Sequence, residues 1–419
     1  MTCKPLNLLT RFSEPPTIHV LDVNTSTAHI TRTTDDLKLS MQIITYKYEL
    51  RPTPEQERSF LGFAGQCRFV FNELLKRSKD AHESGERFPL SPMGLCYEVT
   101  KLKSEIDWLS GCHIHCLQES AANLAKAYQR WFNWLKTNKG PKTGAPRFKS
   151  KHNNQRSFSY KSGLRIDGDR VRLPKIGWVR FRNSRDAIGK LKRATVSRSA
   201  SGKWFVSITA ELPIAHKPLR TEVIGVDVGL STYATMSTGE KVAPPKWLRR
   251  SEHKLKRLQR SLSKKKKGSA NRAKAKKRVA IYHERVANQR KDFQHKLSTK
   301  LINENQVIGF ETLAVKNLMK GRLGKSFADA GLGEFLRQLK YKAEWYGRDA
   351  VPADRFFPST RLCSCCGFKN DNLSLSDRWW DCPDCGSHHD RDVNAAVNLR
   401  NLAMGHMDRQ NACNSGGQS

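Results

Sequence analysis

Hydrophobic and polar positions divide the chain into stretches of different period. Residues 1–40 are mixed and polar with no sustained period, so they predict an extension, with Met41 as an alternative start just before the first strand-like run, Ile43 to Leu50. From Thr53 the spacing becomes helical. Thr53-Pro54-Glu55-Gln56 reads as an N-cap followed by proline at the first helical position, and Phe60, Leu61, Ala64, Cys67, Phe71, Leu74 and Leu75 recur every three or four residues. A second amphipathic helix runs through Leu117, Ala121, Leu124, Ala125, Tyr128, Phe132 and Leu135. The turn-formers of Gly140-Pro141-Lys142-Thr143-Gly144-Ala145-Pro146 end this helical region. Between Phe148 and Leu212 the period falls to two, in short runs such as Arg170 to Leu173, Trp178 to Phe181 and Trp204 to Ile208, which predict a small β-barrel.

After Pro218 come two hydrophobic strands, Glu222 to Leu230 and Thr232 to Met236. A long basic stretch follows over residues 246–300. In it Leu255, Leu258 and Leu262, then Val279, Tyr282, Val286 and Phe293, keep helical spacing on either side of Lys264-Lys265-Lys266-Lys267-Gly268, predicting a helical hairpin with one cationic face. A further strand covers Val307 to Leu313, and a helix runs through Phe335, Leu336, Leu339, Ala343 and Trp345. The tail beyond residue 402 carries no periodic pattern and is expected to be disordered. No internal repeat is visible.

Composition narrows the chemistry. The chain has 419 residues with 75 Lys and Arg against 39 Asp and Glu, a net charge of +36, too basic for an ordinary metabolic enzyme and suited to a polyanion. Its 18 Phe, 9 Tyr and 9 Trp offer stacking surfaces for unpaired bases. There is no apolar run long enough to span a bilayer, and the N-terminus lacks a signal-peptide pattern, so a soluble, unsecreted protein is expected, with no membrane partner. Lys149, Lys175 and Arg180 among the strand aromatics, and Lys265, Lys266, Arg272 and Lys276 on the hairpin, are the candidate phosphate contacts.

Two constellations carry chemistry. Cys363-Ser364-Cys365-Cys366-Gly367 and Cys382-Pro383-Asp384-Cys385-Gly386 form two C-x2-C knuckles separated by fifteen residues. Four thiolates, Cys363, Cys366, Cys382 and Cys385, suit one tetrahedral zinc, and the glycine after each knuckle permits the tight turn that aims amides at sulfur. Cys365 is the odd thiol and could stand in for Cys363 or Cys366, and His388 or His389 could replace a thiolate. A four-thiolate zinc keeps no water position, so the site is structural or nucleic-acid-contacting. Separately, Asp227 lies in an otherwise apolar strand, Glu311 ends another, and Asp392 precedes a helical stretch; a carboxylate in such a place is costly unless paired or holding a cation. Two divalent ions about 4 Å apart on such acids can activate water against a phosphodiester. Gly225 and Gly229, flanking the first acid, would let a sugar-phosphate approach the backbone.

The combination of Gly225-Val226-Asp227-Val228-Gly229-Leu230, Gly309-Phe310-Glu311-Thr312-Leu313, the double knuckle, and His389-Asp390-Arg391-Asp392-Val393-Asn394-Ala395-Ala396 resembles the transposon-encoded OrfB/TnpB family, compact relatives of type V CRISPR nucleases. The resemblance runs in order from Met41 to about Leu402, through Arg51 to Gln56, Pro146 to Lys149, Leu173 to Gly177, Ser201 to Trp204 and Asn271-Arg272. It implies a mixed α/β multidomain protein: a first wedge strand at residues 41–52, a helical recognition region at 53–139 and a β-barrel wedge domain at 140–215. A ribonuclease H-like RuvC nuclease domain would cover 216–355, with the hairpin 246–300, then a zinc ribbon at 356–389, the last RuvC segment at 390–402 and the tail 403–419. Asp227, Glu311 and Asp392 would be its catalytic acids, holding two Mg2+ ions, for which Mn2+ could substitute; Asp390 is a competitor for the last place, and the family's Asp-x-Asn-Ala-Ala pattern favours Asp392.

Family resemblance further implies a protein that binds a guide RNA from the transposon end and opens target double-stranded DNA beside a short motif; its oligomeric state stays open, with a monomer favoured. It would cut by hydrolysis that leaves a 3′-hydroxyl, base pairing reading the sequence, in a prokaryotic, nucleoid-associated, cytoplasmic setting. Two alternatives stand beside this reading. One is a non-catalytic RNA- and DNA-binding transposition regulator. The other is a transposase proper, for which His113-Ile114-His115 matches a His-hydrophobic-His metal signature; helix capping is the competing explanation of that triplet.

Overall fold

The computed structural model describes residues 41–151, 156–213, 217–374 and 376–415, apart from the side chains of Lys316 and of residues beyond His406. The extension 1–40 and the choice of Met41 as start lie outside the described residues.

Strand periodicity builds the first sheet from β1 (Met41–Arg51), β2 (Ser157–Tyr160), β3 (Arg165–Asp167), β4 (Arg170–Leu173), β5 (Gly177–Phe181), β6 (Lys190–Arg198) and β7 (Trp204–Pro213). All pairings are antiparallel and the order is β2-β6-β7-β1-β5-β4-β3. The N-terminal strand is therefore central, Met41 opposite Pro213 and Leu50 opposite Trp204. Alternate residues point inward, among them Tyr46, Tyr48, Leu50, Val171, Leu173, Val179, Phe181, Val196, Val206 and Ile208, all buried. The expected barrel is not closed by hydrogen bonds: among the described residues β2 and β3 share no ladder. Tyr160 of β2 donates instead to the Pro174 carbonyl at the β4–β5 turn, at 3.0 Å.

Among the described residues three α-helices sit between β1 and β2 in sequence, α1 (Pro54–Glu83), α2 (Pro92–Glu105) and α3 (Ile114–Thr137), with a 3-10 helix at Asp107–Gly111 before the last. Thr53 caps α1 through a reciprocal pair, its Oγ1 accepting from Gln56 N at 3.3 Å while Gln56 Oε1 accepts from Thr53 N at 3.1 Å. Gln56 Nε2 also donates to Trp178 O on β5 at 2.9 Å, so the cap joins helix to sheet. Phe60 packs on Trp204 and Phe63 on Phe158, with ring centroids 5.0 and 5.3 Å apart, and the helices and sheet share one core.

The second sheet contains β8 (Val223–Val228), β9 (Ala234–Met236), β10 (Lys241–Val242), β11 (Val307–Phe310) and β12 (Asp349–Pro352), in the order β10-β9-β8-β11-β12. The first three form an antiparallel meander; β11 runs parallel to both β8 and β12. The basic hairpin is α4 (Trp247–Ser263) packed on α5 (Ala270–Glu304). Two short helices, α6 (Val315–Leu318) and α7 (Gly324–Ala330), lead to α8 (Leu332–Tyr346), whose Phe335 and Leu339 join Leu297 and Leu301 of α5 in the sheet's core.

The chain ends with the cysteine module, including the hairpin β13 (Trp379–Asp381) and β14 (His388–Asp390), and with α9 (Arg391–Ser415). This helix lies directly on β8 and β11. A Cβ at Gly225 would overlap the Ala396 carbonyl, and one at Gly309 the Leu399 carbonyl, so both glycines make room for a helix. That corrects the reading of Gly225 as a seat for sugar-phosphate; Gly229, by contrast, lies on the wall of the open cleft that Asp227 also lines. The helix also continues to Ser415, past the boundary expected at residue 402, because no proline interrupts residues 403–415. Of the expected disordered tail, residues 416–419 lie outside the described residues.

Candidate active site and metal centre

Strand register brings two carboxylates to one level. Val226 is paired with Phe310 across parallel strands, so the next residues, Asp227 still within β8 and Glu311 just past the end of β11, come to the same level. Asp392, in the first turn of α9, completes the trio because the two glycines let that helix lie on these same strands. All three acids line one cleft of about 900 Å3, shared with the cations Arg249, Arg290, Arg322, Lys325, Arg378 and Arg391.

The cleft leaves these three acids incompletely neutralised, although Glu252 on its wall pairs with Lys256 and Lys325. Burial, then the charge of Glu311, then that of Asp392, push the Asp227 carboxyl up to about 8, against a smaller opposing pull from Arg391. Among the described residues no ion pair forms on Asp227 or Glu311, and Asp392 has only Arg378, 3.8 Å away. Glu311 Oε1 accepts from Ser359 Oγ at 2.5 Å. Asp390 is occupied elsewhere. Its Oδ2 pairs with Lys241 Nζ at 2.5 Å, while its Oδ1 accepts from the amides of Asp392 and Val393, each at 3.1 Å, as a helix cap does. Burial opposes ionisation of Asp390, but Lys241 and these amides hold its carboxyl below the usual range. Asp390 thus caps the helix, and Asp392 is the acid that faces the cleft.

At the cysteine module the four thiols of Cys363, Cys366, Cys382 and Cys385 lie within 4.8 Å of one another. The Cys363–Cys385 and Cys366–Cys382 sulfurs are each 3.6 Å apart, close to the edge of about 3.8 Å expected for four thiolates 2.3 Å from a tetrahedral zinc. Each knuckle closes through a glycine with positive φ, Gly367 at 80° and Gly386 at 69°. Gly367 N donates to Cys363 O at 3.0 Å, and Gly386 N to Cys382 O at 2.9 Å. The set can therefore hold a metal such as zinc. Cys365 is exposed, and with Cys363 and His389 it forms a second convergent group that shares Cys363. His389 is buried with Nε2 3.1 Å from Cys363 Sγ, and His388 turns outward to Asp381 at 2.6 Å. Among the described residues these cysteine groups are the sets of three or more ligands converging this tightly. The carboxylates of the cleft are more widely spread.

Sequence reasoning missed the residues that join the two places. Asn394 Oδ1 accepts from Ser364 N at 2.9 Å and its Nδ2 donates to Leu362 O at 2.6 Å; Asn398 Nδ2 donates to Leu362 O and to Ser359 O, both at 2.8 Å. Their spacing of four on α9 is the signal that could have revealed them as one face.

The candidate phosphate contacts separate into free and engaged groups. Arg272 donates from Nη1 to Leu262 O and Lys265 O, at 2.9 and 2.8 Å, and so ties the hairpin turn rather than pointing outward. Lys175 donates to Ser110 O at 2.5 Å, and Arg180 pairs with Asp169 at 3.1 Å. Lys149 stands 3.6 Å over the Phe71 ring, and burial pulls its ammonium below the usual range. Lys266 and Lys276 are exposed and Lys265 half-buried. Lys276 shares a shallow groove with Arg156, Arg198 and Lys277, where the hairpin meets the first sheet. His113 caps α3, its Nδ1 accepting from His115 N at 3.3 Å, which accounts for the His-Ile-His triplet without a metal.

Comparison with known proteins follows the same geography. A family described as "Probable transposase" matches residues 206–322, one described as "Cas12f1-like, TNB domain" matches 333–399, and one described as "Helix-turn-helix domain" matches 41–87. The last segment here holds a strand and one 30-residue helix. The chain is 37% identical over 366 residues to a Streptomyces pristinaespiralis protein, covering 86% of this chain and 89% of the relative. It is 35% identical over 382 residues to InsQ of Escherichia coli K12, covering 86% and 92%. Both relatives bear the name "Putative RNA-guided DNA endonuclease". Among solved structures, a Cas12f1 chain from a complex with sgRNA and target DNA superposes with a TM-score of 0.52 at 12% identity, covering 86% of this chain and 99% of that one, which is a likeness of fold.

Proposed function

The chain belongs to the OrfB/TnpB family of transposon-encoded proteins, and from that premise we propose that it is an RNA-guided DNA endonuclease with a ribonuclease H-like, RuvC-type active site at Asp227, Glu311 and Asp392. One observation carries the reading: three acids from segments more than 80 residues apart in sequence meet in one cation-rimmed cleft. The strand order supports it, a three-stranded antiparallel meander extended by two parallel strands. The relatives' printed activity supports it as well.

The cleft's donors are hard carboxylate oxygens crowded enough to raise one carboxyl, the chemistry that suits two Mg2+ ions, with Mn2+ as substitute. Such ions, when bound, would supply an activated water and neutralise the leaving 3′-oxygen. The protein's own part would be positional. Asp227 and Glu311 are carried by the sheet strands and Asp392 by the capped helix, so the three carboxylates share one cleft and would draw closer together when the ions bind. Arg378, beside Asp392, would help draw a phosphodiester in, while Arg391 donates to the carbonyls of Ser374 and Asp377. Guide RNA and target DNA are the proposed polyanions for the basic hairpin and first sheet. The hairpin segment 246–300 holds 21 Lys and Arg against three acids, half of the net charge. Zinc at the four cysteines is structural, since no open coordination position remains.

The test is to express the chain with its flanking element DNA, sequence the RNA that co-purifies, and offer a matching duplex with Mg2+. A discrete RNA with a fixed scaffold and a cut confined to the matched duplex is expected. A heterogeneous RNA pool with no guided cut would overturn the proposal.

A further inference from the structure

Between β12 and the first knuckle the chain passes through Ser359, one of its most buried polar residues at 2% exposure. Its hydroxyl and carbonyl face different partners. The hydroxyl donates to Glu311 Oε1 at 2.5 Å, and the carbonyl accepts from Asn398 Nδ2 of α9 at 2.8 Å. Three residues on, Leu362 O accepts from both Asn394 and Asn398, and Ser364, inside the knuckle, donates to Asn394. One short segment thus touches a cleft acid, the helix that carries Asp392, and the cysteine set.

The consequence is chemical as well as steric. A hydroxyl that donates to one carboxylate oxygen fixes the rotamer and leaves the other oxygen free. An outer-shell partner of this kind typically changes metal affinity by about 10- to 100-fold when removed. A Glu side chain without it must lose its rotamer freedom when a cation binds. The Ser359 backbone is in turn kept in place by the amide of Asn398 and by the folded knuckle.

We propose that Ser359 is the positioning residue that presets Glu311 for a divalent cation, and that the segment 359–364 couples the metal held by the cysteines to cation binding in the cleft. This rests on the carboxylate-site reading above. The coupling is reciprocal: whatever stabilises the knuckle tightens the cleft, by the same factor as cation binding in the cleft stabilises the knuckle.

The test uses the full chain with its co-purified RNA and reads Mn2+ binding by the loss of free-ion electron paramagnetic resonance signal, with no substrate present. Parent protein should bind Mn2+ at sites that Asp227→Ala removes; if it does not, the carboxylate-site reading itself falls. Given that binding, Ser359→Ala should weaken Mn2+ affinity about tenfold while the zinc content stays at the parent value, and Ser359→Thr, which keeps the hydroxyl, should restore most of it. Cys385→Ser should lower zinc content and weaken Mn2+ binding in parallel. Parent-like Mn2+ affinity in Ser359→Ala would overturn the positioning role. Parent-like affinity in a zinc-depleted Cys385→Ser would overturn the coupling. Should Ser359→Ala fail to fold, Asn398→Ala, which leaves the hydroxyl in place but frees the Ser359 carbonyl, must show the same loss for the proposal to stand.

Discussion

Two regions of this molecule treat acidic side chains in opposite ways. Around the first sheet and its helices, acids are matched by the protein's own bases: Glu57 with Arg198 at 2.9 Å, Glu49 with Lys203 at 3.1 Å, Glu211 with Lys192 at 2.5 Å. Even Glu119, whose side chain is only 5% exposed, has Arg193 3.1 Å away. Around the second sheet Asp227 and Glu311 stand against each other without an ion pair, although arginines line the same cleft. A chain with 36 surplus positive charges does not lack cations to place there. The acids of the first region are neutralised within the fold, as is Glu252 on the cleft wall by Lys256 and Lys325, whereas Asp227 and Glu311 carry no ion pair among the described residues, the condition that the proposed cation site requires.

The sharpest way to break that comparison is to remove a cleft acid and a nearby structural one in parallel. Asp392→Ala should lower single-turnover cleavage of a guided plasmid by about 10³-fold or more, with RNA retention unchanged. Asp390→Ala removes only a helix cap and the Lys241 pair, so it should cost about 1 kcal/mol of stability and keep cleavage within tenfold. If Asp390→Ala were the dead variant and Asp392→Ala the active one, the assignment of the two acids would be reversed.

A second test uses the titration of Asp227. Its carboxyl is raised to about 8 by burial and by its two acidic neighbours, against about 3.9 in an unfolded chain. The stability tied to its protonated form is therefore fully present below about pH 4 and is lost as pH rises through about 8. Asp227→Asn cannot ionise. In buffer without added divalent ions, the variant should melt above the parent by an amount that grows from pH 5 to pH 8.5 to about 2 °C or more. Saturating Mg2+ should close the gap from the parent's side. Parallel melting curves across that pH range would show that the cleft bears no unrelieved charge.

How much of this was legible in the sequence depends on the distance over which each signal acts. The two cysteine knuckles and their glycines are local patterns, and the structure brings their sulfurs together; the Thr53 capping box is equally local. Asp227 stands out as a carboxylate inside an apolar strand and Glu311 as one ending another, and parallel register then sets them at one level. Gly225 was misread because the helix it accommodates begins more than 160 residues later, and nothing near it announces that contact. Ser359 carries no pattern, being one serine in a loop. Arg272 looked like its basic neighbours, and only the helix-turn carbonyls it binds distinguish it. The barrel failed to close by backbone pairing because period two reports faces of a strand, not which strand lies beside it.

For the first region the matching test is to strand a buried acid. Arg193→Ala leaves Glu119 without its partner. Breaking a buried pair costs about 3–5 kcal/mol; because the Arg193 side chain is 44% exposed, solvent screening reduces the expected loss to about 1–2 kcal/mol. Urea unfolding measures it. With saturating guide RNA the cleavage rate should stay within twofold, since nothing in the cleft has changed. A large loss of rate at unchanged stability would place Glu119 and Arg193 in the machinery rather than the scaffold.

The smallest effect belongs to the positive surface, where the same distinction between structural and available charge applies with the sign inverted. Lys276 is exposed in a groove with Arg156, Arg198 and Lys277, and among the described residues it forms no ion pair. Arg272, four residues earlier, spends its guanidinium on the carbonyls of Leu262 and Lys265. If Lys276 meets a phosphate, Lys276→Ala should weaken RNA binding a few-fold, equally for all sequences, and reduce the slope of log K against log salt by about 0.7–1. Arg272→Ala should instead loosen the hairpin turn, lowering the melting temperature while leaving that slope within about 0.3 of the parent. Filter binding across a salt series separates the two. An unchanged slope in Lys276→Ala would mean that this lysine, though free, is merely solvated, and that the RNA path lies elsewhere on the basic face.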